Sequence, residues 1–120
     1  MATILVVDDY PVVQRLLRYT LERDGHEVFV TSDGFQALDF LSENTVDLII
    51  MDVAMPDMNG LELLKRVRAE ETFRDVPIIM LTASGQDEDR VEAGEAGANE
   101  FLSKPASSRE LLETVHRFLG

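Results

Sequence analysis

Cysteine is absent from this 120-residue chain, which removes disulfides, thiolate chemistry and sulfur-ligated metals together and suits a reducing compartment. No apolar run approaches the roughly 20 residues that a membrane-spanning helix needs. The N-terminus has no basic segment leading into an apolar stretch, and the first apolar run, Ile4 to Val7, ends in two aspartates; the expectation is a cytoplasmic protein. Basic residues are scarce, 11 against 23 acidic for a net charge of -12. Such a field repels phosphate backbones and anionic lipid, so direct nucleic-acid binding and membrane association are not expected, whereas a basic protein partner is compatible. Only Lys65 and Lys104 are lysines, so a lysine beside carboxylates merits weight. Linkers, internal repeats and low-complexity stretches are also missing. The length suits a single domain over residues 1–120.

Five short apolar runs recur with room for a helix between each pair: Thr3–Val7, Glu27–Thr31, Leu48–Met51, Ile78–Leu81 and Glu100–Leu102. The first and third are continuously apolar, as strands buried on both faces of a parallel sheet are. Between them, Val12, Val13, Leu16, Leu17 and Leu21 repeat at helical spacing after Pro11 and stop at Gly25. Ala37, Leu38 and Leu41 mark a second helix opened by Ser32 or Asp33, and Leu61, Leu64 and Val67 a third opened by Asn59. Ser107 and Glu110 form a capping-box pair ahead of a last helix carrying Leu111, Leu112, Val115, Phe118 and Leu119. The acidic segment Gln86 to Ala96, with Gly94 inside it, predicts only a marginal, mobile helix. Strand and helix thus alternate as in a doubly wound α/β fold with a parallel sheet flanked by helices.

In such sheets the ligand site forms beyond the carboxyl ends of the strands. There the chain places Asp8-Asp9, Asp52, Thr82-Ala83 and Lys104-Pro105, three carboxylates, a hydroxyl and an amine on one edge. Crowded carboxylates stay ionised only if a cation offsets them. A hard divalent cation such as Mg2+ suits an all-oxygen set, while His26 and His116 fall away from the strand ends and offer no imidazole set there. A carboxylate beside Mg2+ can attack phosphorus and form an acyl phosphate, with metal and lysine neutralising the transferring group.

Taken in order, Val7-Asp8-Asp9, Met51-Asp52, Met55-Pro56-Asp57-Met58-Asn59-Gly60, Leu81-Thr82-Ala83, Ala96-Gly97-Ala98 and Phe101-Leu102-Ser103-Lys104-Pro105 resemble a response-regulator receiver domain of the chemotaxis-regulator kind over the whole chain. The resemblance implies a flavodoxin-like five-stranded sheet in the order 2-1-3-4-5. It implies Asp52 as phosphoacceptor; Asp9, Asp52 and the Ala54 carbonyl as Mg2+ ligands, with Asp8 acting through metal-bound water; and Ala54, Thr82, Ala83 and Lys104 around the phosphoryl group. It further implies a cis bond before Pro105 and a switch in which Thr82 moves to the phosphoryl oxygen and Phe101 turns inward. Phe101 lacks the hydroxyl of the tyrosine common there, and Ala54 and Ser84 stand where the family tunes the lifetime of the acyl phosphate. The donor would be a sensor histidine kinase or a histidine phosphotransfer protein. The expected product is a state of the chain itself rather than a released compound, so a conventional enzyme is not expected; the reading is a free-standing, monomeric receiver with an unnamed output partner.

Each residue also has a plainer reading. Asp8-Asp9 can open the first helix, Thr82 can be a loop hydroxyl, Lys104-Pro105 a solvated turn, Phe101 and the methionines core, and Asp87-Glu88-Asp89 a solvated helix start. Against these, a carboxylate such as Asp52 at the end of an apolar strand is costly unless something binds it. The alternative functions are a phosphorylation-independent receiver-like interaction module, which commonly lacks one of the acidic or lysine positions; a phosphohydrolase of the haloacid-dehalogenase type, which needs a second acid where Ala54 stands; and a flavin-binding protein, which needs phosphate donors where these loops are acidic.

Overall fold

A computed structural model of the chain describes residues 2–55, 57–82, 93–104 and 106–119. Five strands, β1 (Thr3–Val7), β2 (Glu27–Thr31), β3 (Leu48–Asp52), β4 (Ile78–Thr82) and β5 (Glu100–Ser103), alternate with helices α1 (Pro11–Arg23), α2 (Gly34–Glu43), α3 (Gly60–Ala69) and α4 (Ser108–Leu119), with a 3-10 turn at Glu71–Phe73. All neighbouring strands pair in parallel, in the order β2-β1-β3-β4-β5. This is the doubly wound α/β architecture expected from the sequence. Asp52 and Thr82 are the last residues of their strands rather than the first beyond them.

The sheet divides two cores by side-chain alternation. Leu5 and Val7 of β1, Ile49 and Met51 of β3, and Ile78 and Met80 of β4 pack under α2 and α3. Ile4, Val6, Leu48, Ile50, Ile79 and Leu81 pack under α1 and α4. Both faces are therefore dry, which is why the central runs are uninterrupted apolar sequence. Edge strands β2 and β5 are only partly buried, matching their mixed composition.

The helix starts follow local chemistry. Asp33, rather than Ser32, caps α2 by accepting from the Gln36 amide at 2.8 Å, while the Ser32 amide donates to the Gln36 side chain. Asn59 accepts from the Glu62 amide at 2.9 Å, and Ser107 from the Glu110 amide at 3.1 Å. The left-handed Gly25, with φ of 90°, ends the loop after α1. The apolar repeat of α1 is wider than the face that it buries. Its inward face is Val13, Leu17 and Leu21, while Val12 and Leu16 remain 55% and 50% exposed, because α1 touches the sheet along one stripe only. The helix opens at Pro11 as expected, after Tyr10 and without a side-chain cap, so the plainer reading of Asp8-Asp9 as its cap does not hold. Of the predicted Gln86–Ala96 helix, residues 93–96 are helical and the rest lies outside the described residues.

Gly60 holds α3 against the end of β3. Its amide donates to the Val53 carbonyl at 2.7 Å, and a Cβ there would collide with the Asp52 carbonyl oxygen and lie 2.8 Å from Val53 Cα. At Gly34 a Cβ would instead meet the Met58 sulfur at 2.6 Å, the end of a flexible side chain. Gly60→Ala is therefore expected to cost about 2 kcal/mol or more in urea unfolding, and Gly34→Ala clearly less, because backbone cannot yield as a thioether can.

Candidate functional site

The site forms where β1, β3, β4 and β5 end on the same side. Asp8 follows β1 and is fully buried; Asp52 closes β3 and is 4% exposed. The register fixes their neighbour: β5 pairs with β4 so that Ser103 sits beside Thr82, and the Lys104 amide donates to the Thr82 carbonyl at 2.8 Å. Lys104 Nζ thereby reaches 2.9 Å from Oδ2 of Asp52 and 2.9 Å from Oδ2 of Asp8. Its hydrogen bond goes to Asp52. The buried Asp8 Oδ2 faces the ammonium without a hydrogen bond of its own.

The rest of the loop architecture holds these groups. Asp8 Oδ1 accepts from the Tyr10 amide at 2.9 Å, and Asp52 Oδ1 from the Ala54 amide at 3.2 Å. Gln14, which the sequence did not single out, donates through Nε2 to the Asp8 carbonyl and to Ser32 Oγ, tying the loop after β1 to the loop after β2. Only the closed fold brings these positions together, so periodicity carries no signal for them.

Charge is unevenly shared. Burial raises the Asp52 pKa above its ordinary value, the repulsion of Asp8 adds to this, and Lys104 and the Ala54 amide offset it only in part. For Lys104, burial acts to lower the ammonium pKa, but the hydrogen bond to Asp52, the close ion pair with Asp8 and the two negative charges outweigh it and hold the pKa above its ordinary value. The two shifts agree once the stoichiometry is counted: one ammonium serves two buried carboxylates, so the cation has anion to spare and Asp52 is short of cation.

One carboxylate oxygen each from Asp8, Asp9 and Asp52 lies within 4.8 Å of the other two, with Asp9 exposed at the mouth. An oxygen-only set containing a buried oxygen without a hydrogen bond fits a hard divalent cation such as Mg2+. Ala54 is exposed in the loop beyond β3. Thr82 is fully buried at the end of β4. Phe101 is half-buried against the α2/α3 core and pairs with Met80, so Phe101 and Thr82 are diagonal neighbours on one face of the sheet. Ala83, Ser84 and the bond before Pro105 lie outside the described residues. His26 and His116 are far from this edge, as expected, but they meet each other at Asp24.

A sequence profile of the response regulator receiver domain matches residues 4–116. The chain belongs to the response-regulator receiver family. It is 42% identical over 119 residues to a chemotaxis protein CheY homolog of Campylobacter jejuni, covering 98% of this chain and 92% of that one. It is 43% identical to the transcriptional regulatory protein CpxR of Escherichia coli, spanning 99% of this chain and 50% of CpxR. Among solved structures, the chemotaxis response regulator CheY4 of Vibrio cholerae superposes with a TM-score of 0.93 at 37% identity, over 98% of each chain. The receiver domain of the Pseudomonas aeruginosa sensor histidine kinase PA1611, which carries a magnesium ion in its active site cleft, superposes with a TM-score of 0.91 at 36% identity, over 99% of this chain and 98% of that one. Receivers of this family are the signalling switches of two-component systems, and this chain carries their five-stranded parallel sheet. Among the described residues no helix is long and apolar enough to cross a membrane.

A group with a raised folded pKa stabilises fully at low pH and loses that contribution as pH rises through the raised value. For Lys104 the loss falls above the ordinary lysine range. For Asp52 the raised value means that ionisation at neutral pH opposes folding. In chelator at neutral pH, Asp52→Asn is expected to raise Tm by a few degrees, about 1 kcal/mol, with Lys104 still paired to Asp8. The gap should narrow as pH falls through the raised value and be closed by about pH 4, the ordinary aspartate value, below which the wild-type carboxyl is protonated. Calorimetry over pH checks both; a lower Tm for Asp52→Asn would mean that the Lys104 pair outweighs the burial of Asp52.

Proposed function

We propose that this receiver is the phosphoacceptor of a two-component relay, taking a phosphoryl group on Asp52 from the phosphohistidine of a sensor kinase or phosphotransfer protein. The observation that carries the reading is the Asp8–Lys104–Asp52 cluster, buried at the carboxyl ends of the strands and one cation short. An Asp52 oxygen attacks phosphorus, the P–N bond to the donor histidine breaks, and the ring nitrogen keeps the electron pair; the product is an aspartyl phosphate. Lys104 pairs with a phosphoryl oxygen, and the Ala54 and Ala83 amides and the Thr82 hydroxyl receive the others. Asp9, Asp52 and the Ala54 carbonyl would hold Mg2+, with Asp8 supporting it from the second rank of carboxylates. When bound, the ion supplies the charge that lets phosphate approach three carboxylates. Domain 1–120 would act as one cytoplasmic unit, its output carried by a protein partner.

Phosphorylation draws Thr82 toward the new oxygens and frees space for Phe101 on the same sheet face. Their diagonal register and the half-buried ring support this switch. The exposed stripe of Val12, Leu16 and Tyr19 on α1, at 55%, 50% and 59% exposure, begins four residues past Asp8 and suits a helical donor protein. Leu16→Asp is expected to slow transfer from a phosphohistidine protein by about tenfold relative to transfer from acetyl phosphate, in line with about 1.4 kcal/mol for one buried side chain, as read by phosphotransfer assay.

Intact-mass analysis after incubation with acetyl phosphate tests the central step. A gain of one phosphoryl group is expected for wild type with Mg2+, and none with chelator or in Asp52→Ala. An unmodified, folded wild type with acetyl phosphate unconsumed would instead favour a phosphorylation-independent interaction module.

A further inference from the structure

At the opposite end of the sheet, three side chains distant in sequence converge. Asp24 caps the C-terminus of α1, His26 precedes β2 by one residue, and His116 lies in the last turn of α4. Nε2 of His26 is 2.8 Å, and Nε2 of His116 2.7 Å, from the same Oδ2 of Asp24. The three candidate donor atoms all lie within 4.8 Å of one another. We propose that Asp24, His26 and His116 form a second cation site, for a transition-metal dication such as Zn2+.

The donor set decides the class of ion. Two imidazoles and one carboxylate suit Zn2+, Co2+ or Ni2+, whereas Mg2+ prefers all-oxygen shells. Donors on a tetrahedral ion at about 2.0–2.1 Å stand about 3.3 Å apart, so the hydrogen-bonded groups need to separate by only about half an ångström. The parts are suited to that movement. The His26 side chain is 9% exposed and held in place, while His116 is 56% exposed and free to adjust. A cavity of about 520 Å³ lined by Asp24, His26, Asp47 and His116 leaves room for water at an open position. The field favours a cation as well: α1 and α4 both end here, with the negative ends of their dipoles toward the site, and Asp47 lines the same cavity.

The site has one identifiable cost. His26 Nδ1 accepts from the Ala2 amide at 3.2 Å, which makes Nε2 the protonated nitrogen in the metal-free chain. Ligation through Nε2 moves that hydrogen to Nδ1 and gives up the Ala2 contact, the longest of the three around this ring pair. What is gained is a link between α1 and α4, which share one core through Leu17, Leu21, Leu111 and Val115 but are otherwise joined at this end by the His116–Asp24 contact alone among the described residues' ion pairs.

The test uses untagged Asp52→Ala protein in excess Mg2+, so that the acidic cluster is weakened and filled. Titration with Co2+, followed by its visible d–d absorption and then by displacement with Zn2+, is expected to show one equivalent bound. His116→Ala and Asp24→Asn should each weaken binding by at least about tenfold, with folding verified by circular dichroism; the exposure of His116 makes its truncation tolerable to the fold. Absence of a one-equivalent site, or affinity that is unchanged in folded His116→Ala and Asp24→Asn, would overturn the proposal and leave a purely hydrogen-bonded His–Asp–His clamp.

Discussion

Lys104 faces two buried carboxylates with a single positive charge, and the functional end of the molecule depends on that imbalance. Two ionised aspartates in a dry setting repel each other and lose hydration; one ammonium offsets only part of this. Nothing in the apolar framework is improved by the arrangement. The strands beneath Asp8 and Asp52 are dry on both faces and would be as well packed with apolar residues at their ends. The deficit of positive charge is therefore a cost in stability, and in the phosphoacceptor role proposed for Asp52 it is what favours a cation at this edge.

The fold makes this imbalance possible by separating tasks along the strands. Their middles bury aliphatic side chains in two cores, which hold the sheet rigid. Their carboxyl ends present the polar groups, and backbone pairing sets the spacing: the Lys104 amide bonded to the Thr82 carbonyl fixes where the lysine starts, and Gly60 lets α3 approach the end of β3 closely enough to shape the loop around Ala54. The amino ends of the same strands carry a different polar cluster, at Asp24, in which two imidazoles stand beside one carboxylate instead of three carboxylates together.

Much of this was legible in the chain. Uninterrupted aliphatic runs at β1 and β3 follow from burial on both faces, and Asp33, Asn59 and Ser107 announce helix starts because capping is a local interaction. The acidic edge was legible for the same reason: aspartates that end aliphatic strands are costly wherever the strand goes. The exposed Val12 and Leu16 were not, since a helical repeat shows that a face exists but not how wide a stripe the sheet covers. The role of Gln14 was not either, because it depends on how two loops from different strands come to rest.

The sequence by itself determined the fold class, the polar edge and the family, because strand burial, capping and strand-end chemistry are written in neighbouring residues. Tertiary structure alone decided which oxygens share the lysine, that Asp8 Oδ2 lacks a hydrogen bond, and that His26 and His116 meet on Asp24. Those facts depend on ångström-scale distances between residues up to 96 positions apart, the separation of Asp8 and Lys104. Such distances are set by strand register and helix docking, which no local pattern encodes.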